Sequence, residues 1–191
     1  MLIDFEKAFD SLEWDYTREV LTKYNFGDQF RKWYNILYQG SQSCVINGGH
    51  FSSFFELGRG CRQGDPLSSY LFILAVEPLA RAIKNNKKIR GIDVKGIKHV
   101  IGQFADDTFL LMDGSEGSLR EALEVLDNFH MCSGLNTNVD KTKLAWLGSN
   151  TFSLERLCPH VKLKWVTEFK LLGIMFSVNL DNIAQLNYQS K

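Results

Sequence analysis

Residues 103–112 read QFADDTFLLM and set two adjacent carboxylates, Asp106 and Asp107, in the middle of an otherwise apolar run. Charged side chains are seldom buried unless they are paired or bound to metal, so any fold that accepts this run must put the pair in a turn or compensate it. Residues 100–105 and 108–112 read as two strands, with Asp106-Asp107 as the two turn-tolerant residues between them. Taken alone, an Asp-Asp dipeptide is satisfied by being a solvated turn. Its neighbours along the chain decide whether it is more than that.

Residues 1–5 (MLIDF) read as the end of a strand carrying a single acid, Asp4. After Ser11, a good cap residue, Leu12, Tyr16, Val20, Leu21 and Tyr24 recur at helical spacing until Gly27, and Phe30, Trp33, Ile36 and Leu37 mark a second helix. Residues 43–46 and 51–57 flank Asn47-Gly48-Gly49 and predict a hairpin. The glycine-rich loop GRGCRQGDP (58–66) leads into a long buried helix over 67–85, with Leu67, Leu71, Leu74, Leu79, Ala82 and Ile83 on its apolar face and a distortion expected at Pro78. Leu119, Leu123, Leu126 and Phe129 predict a further helix ended by Gly134, and 144–147 and 171–176 read as later strands. Leaving out the inserted hairpin, the order is β-α-β-β-α-β, an α+β chain with a split βαβ (ferredoxin-like) sheet. Such a sheet can set the first strand beside the central hairpin, which would bring Asp4 alongside Asp106 and Asp107.

With 191 residues, 45% hydrophobic and 13% aromatic, the chain suits one domain, 1–191, with a sizeable core. Its net charge of zero announces no polyanion partner. Locally, Lys84, Lys87, Lys88, Arg90, Lys95 and Lys98 face only Asp93, a segment that suits a phosphate backbone and equally a solvated basic turn. Cys44, Cys61, Cys132 and Cys158 form no CxxC pair and no charged-then-apolar leader opens the chain, so an intracellular protein, the nucleus included, is expected rather than a secreted one. The pairs His130/Cys132 and Cys158/His160 lack structural-zinc spacing. No window approaches eighteen consecutive apolar residues, and no membrane partner is expected.

Two unit charges about 4 Å apart repel by roughly 4 kcal/mol at an effective dielectric near 20, so three gathered carboxylates call for protons or cations. Oxygen-only donors favour Mg²⁺, two ions of it with Mn²⁺ as a substitute, in the arrangement that serves phosphoryl transfer.

Five segments then carry a family likeness. Residues 2–10 (LIDFEKAFD), 60–72 (GCRQGDPLSSYLF), 104–107 (FADD), 135–143 (LNTNVDKTK) and 171–174 (LLGI) resemble, in order and spacing, five successive motifs of a reverse transcriptase. FADD and KAFD most resemble the LINE-type non-LTR retrotransposon enzymes. FADD alone is a weak signal, and five motifs in order over nearly the whole chain are a specific one. The resemblance implies a polymerase palm, with about 1–150 as its core and 151–191 as its end and primer-grip region. It implies an RNA-directed DNA polymerase that joins dNTPs to a primer 3′-hydroxyl on an RNA template by two-metal catalysis. Asp4, Asp106 and Asp107 would then be the metal ligands, joined by the backbone carbonyl of Phe5. Phe9 would lie under the sugar and exclude a 2′-hydroxyl, although a core aromatic is the plain alternative. Gln63 and Gly64 match the loop beside the incoming nucleotide and template base, where a glycine lets backbone approach a ligand closely and equally suits a turn. Lys141 would protonate the leaving pyrophosphate. Lys143 lies two residues away, and a surface lysine is the plain alternative for either. A dinucleotide-binding site is excluded because the third glycine of GRGCRQG comes one residue too late.

Only three residues precede Asp4, whereas reverse transcriptases carry a fingers region upstream, so the likeness implies a chain truncated at its N-terminus, without most of its fingers and without the full thumb, endonuclease and zinc knuckle. Two functional readings follow: a polymerase palm working within a longer protein, or an inactive retrotransposon remnant that at most binds nucleic acid non-specifically. An RNA-templated RNA polymerase would more usually carry Gly-Asp-Asp, and Phe9 speaks against it.

Overall fold

A computed structural model describes residues 1–148, 163–179 and 181–188. Along the chain come β1 (Leu2–Ile3), α1 (Ala8–Ser11), α2 (Trp14–Lys23), α3 (Asp28–Tyr38), β2 (Gln42–Ser43), β3 (Ile46–Asn47), β4 (His50–Phe51), β5 (Phe55–Glu56) and α4 (Pro66–Asn85). Then follow β6 (Ile92–Val94), β7 (Ile97–His99), β8 (Ile101–Phe104), β9 (Asp107–Leu110), α5 (Glu116–Ser133), β10 (Lys143–Leu144), β11 (Lys164–Trp165), β12 (Glu168–Leu171), β13 (Ile174–Ser177) and α6 (Asp181–Tyr188). They sort into two compact units.

The first unit takes Met1–Glu6, Leu79–Asn128 and Asn136–Lys191. Its sheet has the order β11-β10-β1-β9-β8, with β1 antiparallel to both β9 and β10, β8 antiparallel to β9, and β10 parallel to β11. Alternation fixes the register: Ile3, Thr108 and Leu110 point to the buried side, so Leu2 and Phe109 stand on the other. Gly102 pairs with Phe109, and a Cβ there would lie 2.2 Å from the ring, so the aromatic lies flat across bare backbone. Phe104 pairs with Asp107, which moves the expected turn by one residue: its centre is Ala105-Asp106, and Asp107 opens β9. Burial of Thr108 and Leu110 sets the parity of β9 and hence where the ladder closes.

The basic segment forms the β6–β7 hairpin and its approach, and two of its cations are neutralised, Lys88 by Glu121 at 3.1 Å and Arg90 by Asp113 at 2.9 Å. The run that pattern alone reads as a strand over 171–176, and whose residues 171–174 resemble the family's primer-positioning hairpin, belongs to the hairpin β12–β13, turning at Leu172-Gly173 with φ of 49° and 86°. A leucine in a left-handed turn position carries no turn signal in the sequence, which is why periodicity alone reads through it. β10 ends at Leu144, short of the strand expected over 144–147.

The second unit takes Lys7–Pro78 and Phe129–Leu135. Ser11 caps no helix there. It ends α1, fully buried Leu12 turns extended, and α2 starts afresh at Trp14 behind Glu13 with no side-chain cap. Nor does Gly27 stop α2. Asn25 does so, with φ of 58° and bonds from Asn25 N to Thr22 O and Phe26 N to Leu21 O that make a Schellman cap, while Gly27 serves as N-cap of α3. The core gathers Leu21, Tyr34, Tyr38 and Leu71, with Phe30 and Leu37 packed against it. Trp33 and Ile36, expected on the same stripe, are exposed. The hairpin around Asn47 forms as expected, closing on Gly48-Gly49, both at positive φ.

Helix α4 runs unbroken through Pro78. Leu71, Phe72, Ala75, Val76, Leu79, Ala80 and Ile83 form its buried face, and Ala82 stands outside it. Among the described residues it alone has the length and hydropathy to cross a bilayer; one side of it is buried in the protein, while Tyr70 and Ile73 are exposed. Cys158 and His160 lie outside the described residues, and Cys44, Cys61 and Cys132 are free thiols.

Candidate active site

Asp4 follows β1 directly and is half-buried. The β1–β9 register pairs Leu2 with Phe109 and Ile3 with Thr108 and ends there; continued by one step, it leads from Asp4 toward Asp107. Asp106, in the tight turn, and Asp107, at the head of β9, are both exposed. That turn rests on Ala105 at φ 53°, a region an L-residue with a Cβ seldom enters. Behind it, Gln103 Nε2 and Thr108 Oγ1, side chains of a cross-strand pair, are buried without a hydrogen-bond partner among the described residues.

The segment 135–143 comes to the same strand end. Phe5 forms an antiparallel bridge with Thr137 through bonds on either side of it, Glu6 N to Asn136 O at 2.9 Å and Asn138 N to Asp4 O at 2.8 Å. The Asp4 amide donates to Thr142 Oγ1 at 3.3 Å. Thr142 N bonds back to Asn138 O at 2.8 Å, and Lys141 N donates to Asn138 Oδ1 at 3.2 Å, so Lys141 sits exposed on a turn tied to Asp4. The bonds of this segment thus run to the backbone of Asp4, while Asp106 and Asp107 lie at the β8–β9 turn. Asn138 and Thr142 are what the sequence reading missed; only the Asx-turn tendency of asparagine hinted at the first.

The carboxylates do not form a cage. Among the described residues no three His, Cys, Asp or Glu side chains gather closely enough to hold an ion, and Asp4, Asp106 and Asp107 carry no ion pair. A hard, oxygen-only donor set of this kind suits Mg²⁺, which binds through one or two carboxylates together with substrate phosphates. The donors fit such an ion without a preformed all-protein site.

Phe9, Gln63 and Gly64 belong to the second unit. The ring of Phe9 is half-buried and stacked on fully buried Phe72, with centroids 4.4 Å apart, so it is core and accessible surface at once. Its carbonyl accepts the amide of Cys61 at 2.6 Å, and Gly60, at φ 92°, lies where a Cβ would come within 2.9 Å of Asp10 O. This close approach holds the GRGCRQG loop on α1. Exposed Gln63 donates to Asp10 Oδ1 at 3.4 Å, and Gly64 takes φ 86° with open space where its Cβ would be, so backbone conformation is what requires the glycine. Burial pushes the Cys61 thiol up to about 11, aided by Asp65 and Asp10, which leaves it a packing group.

The family model for reverse transcriptase (RNA-dependent DNA polymerase) matches residues 1–176. A transposon TX1 protein of Xenopus laevis is 28% identical over 187 residues, 96% of this chain and 14% of that protein. The Pol polyprotein of the type-2 retrotransposable element R2DM of Drosophila melanogaster is 32% identical over 139 residues, 73% of this chain and 13% of that protein. A mitochondrial protein of Arabidopsis thaliana is 47% identical over 71 residues. The chain thus spans about one seventh of the length of the two transposon relatives.

Proposed function

The chain belongs to the reverse transcriptase (RNA-dependent DNA polymerase) family, with relatives among non-LTR retrotransposon Pol proteins, and on that premise we propose that it is the palm of an RNA-directed DNA polymerase. One observation carries the reading: the β1–β9 register that leads Asp4 to Asp107, beside the Ala105-Asp106 turn. The strand order β10-β1-β9-β8, with β9 between β1 and β8, supports a split βαβ palm.

In this reading Asp4, Asp106 and Asp107, with the carbonyl of Phe5, hold divalent metal, Mg²⁺ or in its place Mn²⁺. The bound ions supply charge neutralisation at the triphosphate and activation of the primer hydroxyl. Lys141 gives its ammonium proton to the departing pyrophosphate as the bond from the α-phosphate breaks. Phe9 closes the space below the sugar's 2′-carbon, and Gln63 and Gly64 line the approach of the base pair. RNA template, DNA primer and dNTPs are the substrates, so the work is intracellular, the nucleus included.

Primer extension on poly(rA) with oligo(dT), dTTP and Mg²⁺ tests this. Asp106→Asn is expected to lower incorporation by at least about a hundredfold, since even outer-shell partners of a metal cost 10–100-fold. Incorporation equal to that of the parent chain sinks the reading. Silence from this chain, and also from the chain placed behind the upstream region of a retrotransposon Pol protein, favours the remnant reading instead.

A further inference from the structure

We propose that Thr142, with Asn138, is a positioning residue that clamps the backbone of Asp4 and carries Lys141 on the same clamp. The inference rests on reading Asp4 as a metal-holding carboxylate. Its observation is the burial of Thr142: in the polar run 136–143 it alone is fully inaccessible, flanked by exposed Lys141 and half-buried Lys143. A buried hydroxyl needs a partner, and the partner of this one is the amide of Asp4, whose carbonyl meanwhile accepts from Asn138 N. Both polar groups of the Asp4 backbone therefore end on one turn.

The pairing around that turn is unusual. Leu2 faces Lys143 in the β1–β10 ladder, and Phe5 faces Thr137 in the isolated bridge. Between those contacts two residues of the first strand, Ile3 and Asp4, stand against five of the other, 138–142. Such an enlarged bulge interrupts a ladder and re-aims what lies beside it. Here it is closed by Thr142 N donating to Asn138 O and by Lys141 N donating to Asn138 Oδ1. The direction of the Asp4 Cα–Cβ bond and the place of the Lys141 Cα are thus set by one group of bonds. A metal ligand and the proposed proton donor stay in step because they share a support, and Thr142 Oγ1 is the atom that joins them.

The test is a titration of Mn²⁺ in the presence of dTTP, followed by electron paramagnetic resonance, on the full chain and three variants. Thr142→Val keeps the bulk and removes the acceptor, and is expected to weaken Mn²⁺ binding by about tenfold. Thr142→Ser, which returns the oxygen, is expected to restore it. Asp4→Asn is the control on the underlying reading. If it leaves Mn²⁺ binding unchanged, Asp4 is no ligand and the proposal goes with that reading. If it weakens binding while Thr142→Val stays within twofold of the parent, the clamp alone is overturned. Should Thr142→Val fail to fold, Asn138→Ala, at a half-buried site, removes the bond to Lys141 N and is expected to weaken Mn²⁺ binding severalfold; an unchanged affinity overturns the clamp equally.

Discussion

At the scale of single residues the site is built from positions that break local rules. Ala105 adopts φ 53° in the turn that carries Asp106, where a glycine would sit without strain. A left-handed backbone costs an L-residue roughly 1–2 kcal/mol, and the extra chain entropy of glycine returns roughly 0.5–1 kcal/mol of that. Ala105→Gly is therefore expected to stabilise the chain by about 0.5–1 kcal/mol, seen as a higher urea midpoint at unchanged slope. A midpoint that stays or falls would mean the turn is not strained at Ala105. The identity of the Asp-bearing turn was legible in the sequence, because two charges in an apolar run have few places to go. Its register was not: whether Asp107 belongs to the turn or to β9 depends on the cross-strand burial of Thr108, a partner relation that a single strand does not display.

At the scale of elements, periodicity predicted the existence of α2, α3, α4 and α5 and misjudged their ends and faces where side chains other than caps and glycines decide. Asn25 in place of a glycine closes α2, and Tyr34 and Tyr38 rather than Trp33 and Ile36 are the residues α3 buries. The start of α5 offers a quantitative check. Burial pushes the Asp113 carboxyl pKa up, but it accepts bonds from Ser115 side chain and backbone and from Ser118, with Arg90 at 2.9 Å, and the balance holds it below the ordinary 3.8. A carboxyl whose folded pKa is depressed adds stability at pH above its unfolded value, and that addition is lost as pH falls through the folded value. Asp113→Asn should accordingly lower stability near pH 7 and flatten the acid limb of the stability profile below about pH 4. Parallel profiles for parent and variant, followed by thermal melting from pH 2 to 7, would show that the network does not favour the charged form. Ser115 and Ser118 are local to Asp113, but Arg90 gave no sign of joining them, since nothing local couples residue 90 to residue 113.

At the scale of the whole molecule, the resemblance supplied what local pattern could not. Five short motifs spread over 173 residues carried it, and the residues it points to fall in two sets: Asp4, Phe5, Asp106, Asp107 and Lys141 in one unit, Phe9, Gln63 and Gly64 in the other. That division separates two kinds of readout. On the proposed reading, variants of the first set would act on metal and on the chemical step, whereas Phe9 would act on which sugar is admitted. Its ring stacks on Phe72, and truncating it forfeits that pair, worth roughly 0.5–1.5 kcal/mol, so the substitution must keep some bulk. Phe9→Val leaves a branched side chain against Phe72 and opens room at the ring's outer edge. A pocket wall trimmed by a few carbons changes discrimination by roughly 10–200-fold, so the ratio of ribonucleotide to deoxyribonucleotide incorporation is expected to rise by about that factor. The decisive comparison is kcat/KM for UTP and dTTP on one primer–template, with Asp106→Asn combined with Phe9→Val as the control. A raised ratio that still vanishes in the double variant means that Phe9 selects substrate for the Asp106 site. A ratio equal to the parent's, in a variant that melts at a similar temperature, means that the ring is only a core aromatic and that the sugar is read elsewhere.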